Sequence, residues 1–259
     1  MSATDPTPED GPEQTFLEHL AELRNRLLRA VVIVLVAFLA MVPFARHIYG
    51  VLAEPLLSRL PAGGQLVAIE VAGPFLTAIK LAFFLAIFAT MPLILYQLWA
   101  FVAPALYRNE KRLAMPLLIS SAALFYLGCA FAYFLVMPVV FGFLASVTPD
   151  GVAMMTDIGR YLDFVIMLFL AFGLCFEVPV ATVIVVATGW LSIEQLKSSR
   201  PYVIVGAFVI GAIFTPPDVV SQIMLAVPMC LLFELGLIAA RMMVRPDPDE
   251  RAASTPADR

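Results

Sequence analysis

The chain has 259 residues, of which 61% are hydrophobic and 14% charged, and its mean hydropathy is +0.93. These values exclude a soluble globular domain and predict a polytopic membrane protein. The 20 acidic and 16 basic residues leave a net charge of -4, and no basic cluster of the kind that binds nucleic acid is present.

The amino-terminal segment is acidic and has no basic region before a cleavage site, so it is not read as a secretory signal. Residues 1–15 are predicted to be disordered. From residue 16 the spacing predicts an amphipathic helix at the cytoplasmic interface, with an intrahelical pair between Glu22 and Arg26. A simple interfacial anchor explains this pattern, and spacing alone leaves a binding role open. The apolar stripe recurs every three or four residues, at Leu17, Leu20, Leu23 and Leu27.

Six charge-poor segments follow, and about 20 helical residues cross a hydrocarbon core of roughly 30 Å. The third segment is too long for one straight crossing, so we expect it to tilt or to kink at Pro116 or Pro138. The fifth is shorter than a full crossing, and we expect short fifth and sixth helices. The segments are residues 27–45, 74–99, part of 113–149, 161–189, 201–214 and 219–240.

Fold class and orientation follow from these segments. We predict an all-α, six-helix membrane domain over residues 16–241, with a disordered tail over 242–259. Prolines inside the spans are predicted to interrupt hydrogen bonding and to give an open, curved wall: Pro92, Pro116, Pro138, Pro179 and Pro228. Basic residues beside alternate span ends place both termini in the cytoplasm.

Motifs for nucleotide, metal or nucleophilic catalysis are missing from the sequence. We therefore predict no catalytic residue, no cofactor and no metal, and the chain is not expected to be an enzyme. Cys129, Cys175 and Cys230 each lie in an apolar run and are read as small buried hydrophobic residues.

Glu177 is the acid whose position in the predicted fourth span costs the most free energy. An unpaired charge there costs at least about 2.5 kcal/mol, so the carboxyl group is expected to be protonated, hydrogen-bonded or facing water. Thr215 and Gln222, on the neighbouring short helices, are candidate hydrogen-bond partners. A polar pin between helices and a functional site both remain open.

Six segments, in order, resemble the TatC family, the multi-span subunit of the twin-arginine protein translocase. The similarity extends over roughly residues 16–241. Its motifs are HLAELRNRLL (19–28), AGPFLTAIKLAF (72–83), LYQLWAFVAPALYRNEKR (95–112), FGLCFEVPV (172–180), RPYVIVGAFVIGAIFTPPDVVSQ (200–222) and AVPMCLLFELG (226–236).

The resemblance implies a receptor in the bacterial inner membrane that binds twin-arginine signal peptides of folded cargo. The family's signal-peptide acids correspond to Glu22 and Glu110, and Arg24 and Phe101 match neighbouring positions of that site. Carboxylates suit this task because they hold guanidinium groups in a bidentate geometry.

The resemblance also implies partners: TatA-like and TatB-like single-span subunits, further copies of the chain, and export driven by the proton-motive force. Glu177, Thr215 and Gln222 would then face the partner subunits. Five more residues match functional family positions without a chemical derivation, namely His19, Leu23, Pro55, Tyr133 and Asp218.

Two other classes of function remain open from the residues themselves. A proton-coupled transporter of small solutes would use Glu177, and a polytopic scaffold would use the motifs for packing only. The transporter is disfavoured because the two halves of the chain show no matching repeat of spans. Packing alone, in turn, does not explain the acids on the cytoplasmic face.

Overall fold

A computed structural model describes residues 12–58, 65–106, 114–149, 155–214 and 219–243. Most of these residues are helical, because a helix satisfies its backbone hydrogen bonds within one apolar segment. The α-helices are α1 (Pro12–Met41), α2 (Ala45–Leu57), α3 (Gly73–Leu106), α4 (Ala114–Phe131), α5 (Met137–Ser146), α6 (Ile158–Cys175), α7 (Val178–Ala187), α8 (Ile193–Ser198), α9 (Arg200–Phe214) and α10 (Val219–Met243).

Five helical stretches are long and apolar enough to cross a membrane: Leu20–Leu57, Gly73–Phe101, Met115–Ser146, Ile158–Ala187 and Val219–Met243. The helix α9 has 15 residues and is shorter, which agrees with the short fifth helix predicted. The prediction of a short sixth helix is wrong, because α10 has 25 residues and continues through Pro228 and Glu234. Six crossings, the curved wall and two cytoplasmic termini remain predictions, as do the boundaries at 15 and 241.

The third and fourth spans both change helical geometry near a proline. A π-helical segment, Ala132–Val136, separates α4 from α5 just before Pro138, and the Met137 N–H donates to the carbonyl of Ala132. The fourth span breaks between α6 and α7, two residues before Pro179, which lacks the N–H that would bond the carbonyl of Cys175. Both interruptions agree with the sequence.

Two other prolines lie inside helices that continue past them. Pro55 in α2 and Pro92 in α3 deprive the carbonyls of Val51 and Phe88, four residues earlier, of their helical donors. Tyr133 donates its hydroxyl to the Val51 carbonyl at 2.9 Å, and Tyr126 donates to the Phe88 carbonyl at 2.9 Å. The third span therefore restores a hydrogen bond that each proline removes, which explains why Pro92 does not break α3.

Helix packing leaves α1 at the edge of the bundle, chiefly against α3, whereas α10 packs against α7 and α9. The core lies between α3, α4 and α6, around the buried rings of Phe125 and Phe172. Glycines permit the closest approaches: a Cβ at Gly128 would lie 2.6 Å from the carbonyl oxygen of Phe172 in α6. These contacts hold the central spans at a fixed separation.

We expect Gly128→Ala to destabilise the bundle by about 1–3 kcal/mol, because the added methyl group meets backbone rather than a flexible side chain. Gly142→Ala in the same span is the matched control, because a Cβ there meets nothing within 4 Å and alanine favours a helix. Thermal unfolding of both variants in detergent measures the difference. Equal melting temperatures would show that α4 and α6 can separate without cost.

One end of the bundle carries α2 and a two-stranded parallel sheet that the sequence does not predict. The strands β1 (Gln65–Val67) and β2 (Met155–Asp157) pair residue 66 with residue 156. The Asp157 carboxylate begins α6 by accepting the N–H groups of Gly159 and Arg160, and it also accepts the N–H of Ile69. These backbone donors, that of Arg160 foremost, lower the pKa of Asp157 below its ordinary value.

Candidate functional site

The polar face of α1 turns toward α3, and Leu20, Leu23 and Leu27 of the leucine stripe turn outward. Residues of α1 with reduced exposure recur at 22, 26, 30, 33, 34, 37, 38 and 41, the spacing of one helical face. Leu20, Leu23 and Leu27 are 40 to 62% exposed. Glu22 and Arg26 are therefore on the packed side of α1, whereas the three leucines are exposed on the opposite side, where they can contact lipid.

Glu22 holds a guanidinium group within its own helix. The Nε and Nη2 atoms of Arg26 lie 2.9 and 2.6 Å from the same carboxylate oxygen, Oε1. This is the intrahelical pair that the spacing predicts. A hollow of about 390 Å³ opens beside it, lined by Ala21, Glu22, Asn25, Arg26 and Arg29.

Phe101 lies on the same face of α3 as Phe83, whose ring contacts Phe38 of α1. Reduced exposure recurs on α3 at Ala86, Thr90, Ile94, Gln97 and Phe101, again at the spacing of one helical face. The rings of Phe38 and Phe83 pack edge to face with centroids 6.0 Å apart, which aligns the end of α1 with the beginning of α3. The two helices are thus antiparallel. Glu22 is sixteen residues before Phe38 on α1, and sixteen residues after Phe83 on α3 the chain lies between Gln97 and Phe101, so these residues are at a similar height along the helix pair. The structure brings Glu22 and Phe101 to the same end of one helix pair.

The remaining residues predicted for this site are placed less closely. Arg24 is exposed, and its Nη2 atom lies 3.5 Å from the side-chain oxygen of Asn25. His19 is part of α1. Glu110 lies outside the described residues, as do Thr215 of the predicted partner-subunit site and Asp218, which only the resemblance selects. The distance between the two predicted signal-peptide acids therefore stays a prediction.

Glu177 stands at the break between α6 and α7. The hydroxyl of Ser121 in α4 donates to its Oε2 at 2.5 Å, whereas no group in the described ranges donates to its buried Oε1. Sequence analysis missed Ser121, because the contact joins residues 56 positions apart. The carboxyl group therefore keeps one oxygen for a further hydrogen bond.

The prediction that Gln222 is a hydrogen-bond partner of Glu177 is wrong. Gln222 donates its Nε2 to the carbonyl of Phe208 at 3.0 Å and so joins α10 to α9. The two side chains lie at different heights along α10. Cys175, two residues before Glu177, contacts Met229, and Met229 is about 10 Å along α10 from Gln222. Glu177 and Gln222 are therefore two distinct polar positions.

Pro55 and Tyr133, which the sequence links only by resemblance, are connected by geometry. The Tyr133 hydroxyl binds the Val51 carbonyl that Pro55 leaves without a helical donor. Tyr161 donates to the next carbonyl, that of Leu52, at 2.5 Å. Together these contacts dock α2 on the third and fourth spans.

We expect Tyr133→Phe to weaken this docking by about 0.5–1.5 kcal/mol, because the Val51 carbonyl then loses its side-chain donor. Pro55→Ala supplies a backbone N–H for the same carbonyl, so Tyr133→Phe should cost less in a Pro55→Ala background. Thermal unfolding of the four proteins of this double-mutant cycle measures the coupling. Additive effects would contradict the shared carbonyl, and Tyr126→Phe is the control at the Phe88 carbonyl.

Comparison with known proteins gives one consistent result. A family model described as Sec-independent protein translocase protein (TatC) matches residues 18–228. The TatC protein of Azotobacter chroococcum mcd 1 is 54% identical over 242 residues, which cover 93% of this chain and 95% of that protein. That of Escherichia coli (strain K12) is 53% identical over 231 residues, 89% of this chain and 90% of its own.

A solved structure has the same fold. The crystal structure described as the twin arginine translocase receptor TatC superposes with a TM-score of 0.77 at 37% sequence identity. The match covers 88% of this chain and 100% of that one. The structural similarity therefore extends over most of this chain and the whole of that one.

Proposed function

The chain belongs to the TatC family of Sec-independent protein translocase proteins, and we propose from this premise that it binds twin-arginine signal peptides and recruits single-span partner subunits. The related crystal structure is that of a twin arginine translocase receptor. The protein would work in the bacterial inner membrane with both termini in the cytoplasm, together with further copies of itself. Cargo export would use the proton-motive force.

The main support for a signal-peptide site at Glu22 is that this carboxylate already binds a guanidinium group, that of Arg26. Arg26 donates two N–H groups to this carboxylate, so the side chain has the reach and orientation to hold an arginine. The hollow beside the pair gives room for a ligand, and Glu22 keeps 37% of its side chain exposed. An arginine of the signal peptide would compete with Arg26 for Glu22, and Glu110 would hold the second arginine.

Partner recruitment is supported at the other polar position. Glu177 has one buried oxygen to which no described group donates, at a point where the helix is interrupted. The neighbouring short helix α9 exposes an apolar surface: Val205, Val209 and Ile213 are 53 to 63% exposed. A single apolar helix with one polar side chain would satisfy both features. We assign this surface to TatA-like and TatB-like subunits.

Binding of a twin-arginine peptide to the purified protein in a lipid nanodisc tests the function. A twin-lysine peptide of otherwise identical sequence is the matched control, because it keeps the charge but loses the planar fork of donors. We expect clear binding of the twin-arginine peptide and much weaker binding of the twin-lysine peptide. Equal affinities would contradict the receptor function.

The alternative of a proton-coupled solute transporter is not favoured. Membership of a protein translocase family argues against it, and Glu177 is hydrogen-bonded to Ser121 rather than to a second carboxyl group. Uptake of small solutes is therefore not needed to explain this carboxyl group.

A further inference from the structure

Gln97 in α3 carries a buried acceptor to which no residue that the structure describes donates. Its Oε1 atom is inaccessible to solvent, and no group in the described part of the chain donates a hydrogen bond to it. A buried carbonyl oxygen in this state costs free energy, so an unpaired one in a packed helix needs an explanation. Sequence analysis did not select this residue, because an amide inside the motif LYQLWAF has no distinctive spacing.

Helix geometry places Gln97 at the level of the guanidinium-binding carboxylate. Gln97 shares its face of α3 with Phe101 and Ile94, and the same face carries Phe83, which contacts Phe38 of α1. Counting fourteen residues from the contact between Phe38 and Phe83 puts Gln97 midway between the levels of Glu22 and Arg26. Gln97 and the ion pair are thus at the same level of the two packed helices α1 and α3.

The buried Oε1 of Gln97 is a hydrogen-bond acceptor, and the guanidinium that Glu22 binds is a hydrogen-bond donor. A guanidinium has five N–H donors and no acceptor, so the carboxylate of Glu22 leaves several of them unsatisfied. A neutral carbonyl oxygen accepts one of these donors without adding charge. Arg26 is bound through one carboxylate oxygen and remains 22% exposed, so an incoming guanidinium can compete with it for Glu22.

We propose that Gln97 is a specificity-determining residue of the signal-peptide site and that its Oε1 accepts an N–H of the arginine that displaces Arg26 from Glu22. This inference rests on the proposed function and deepens it, because it assigns a neutral contact that distinguishes arginine from lysine. A lysine can satisfy the Glu22 carboxylate but has only three donors on a single nitrogen. Its ammonium group cannot reach two acceptors on opposite helices with the same planar geometry.

The test compares twin-arginine and twin-lysine peptides on the same preparation of each variant. Gln97→Met keeps the length and volume of the side chain but removes the acceptor, and it should lower the affinity for the twin-arginine peptide about tenfold. The affinity for the twin-lysine peptide should change less than about twofold, so the preference for arginine collapses. The ratio of the two affinities is independent of the folded fraction, so a partly unfolded variant still gives an answer.

Two further variants separate a binding role from packing. Gln97→Glu retains an acceptor at the same reach, so it should keep binding of the twin-arginine peptide. Ile94→Met changes packing one turn away on the same face and should leave the arginine preference intact.

The outcomes distinguish the two claims. A Gln97→Met protein with the arginine preference of the wild type overturns the role of Gln97, while the receptor function stands. A loss of preference in Ile94→Met equal to that in Gln97→Met also overturns it, because packing would then be the cause. A wild-type protein that binds both peptides equally overturns the proposed function itself.

Discussion

Replacing Glu22 with Ala should lower the affinity for a twin-arginine peptide by about 10- to 100-fold. A hydrogen bond between charged groups contributes about 1.5–3 kcal/mol, and each 1.4 kcal/mol corresponds to tenfold. Folding should be little affected, because a single partly exposed pair at spacing i, i+4 stabilises a helix by only about 0.3–0.5 kcal/mol. Titration of labelled peptide onto nanodisc-embedded protein measures the loss.

Two further variants test the role of the Glu22 charge: one removes a different acid as a control, and the other reverses the charge at Glu22. Glu194→Ala removes an exposed acid that pairs with Lys197 on α8, and it should leave peptide binding unchanged. Glu22→Lys should be worse than Glu22→Ala, because it adds repulsion to the lost hydrogen bonds. Glu110→Ala should weaken binding as well, a prediction that rests on resemblance. Unchanged binding in Glu22→Ala would remove this carboxylate from the site.

Replacing Glu177 with Ala should weaken association with a partner subunit by about 1–2 kcal/mol, or roughly 5- to 30-fold, the scale of a hydrogen bond between helices in a membrane. Glu177→Gln should retain most of the association. Its amide can still accept the Ser121 hydroxyl on one atom and can donate to a partner with the other. Crosslinking of a single-span subunit to a photoreactive group at Val205 of α9 measures association.

Cargo export, measured in parallel with crosslinking, separates hydrogen bonding from proton transfer at Glu177. If export fails in Glu177→Gln while crosslinking persists, the ionisable proton is required in addition to the contact. Ser121→Ala is the matched control for the internal hydrogen bond, and it should leave the partner contact through Oε1 in place. Normal crosslinking and export in Glu177→Ala would reduce this residue to a pin between α4 and the α6–α7 break.

Features that depend on neighbouring residues of the chain could be predicted from the sequence. The all-α membrane class followed from apolar length, and the Glu22–Arg26 pair from a spacing of four. The kinks near Pro138 and Pro179 followed from the missing N–H of proline. The TatC family followed from six ordered motifs, and comparison with known proteins confirms it.

The tertiary structure decided every contact between distant segments, because such contacts depend on the rotation and level of each helix. Rotation turned Glu22 toward α3 and its leucines outward, and the antiparallel register brought Gln97 to the level of the ion pair. The heights of the residues along their helices also separate Gln222 from Glu177, and they allow Ser121 to donate a hydrogen bond to Glu177. Likewise, Tyr133 met the carbonyl freed by Pro55 only because the third span lies against α2. The sequence alone determines which residues share a face of one helix. The packing free energy, summed over whole interfaces, determines which faces of two helices come into contact.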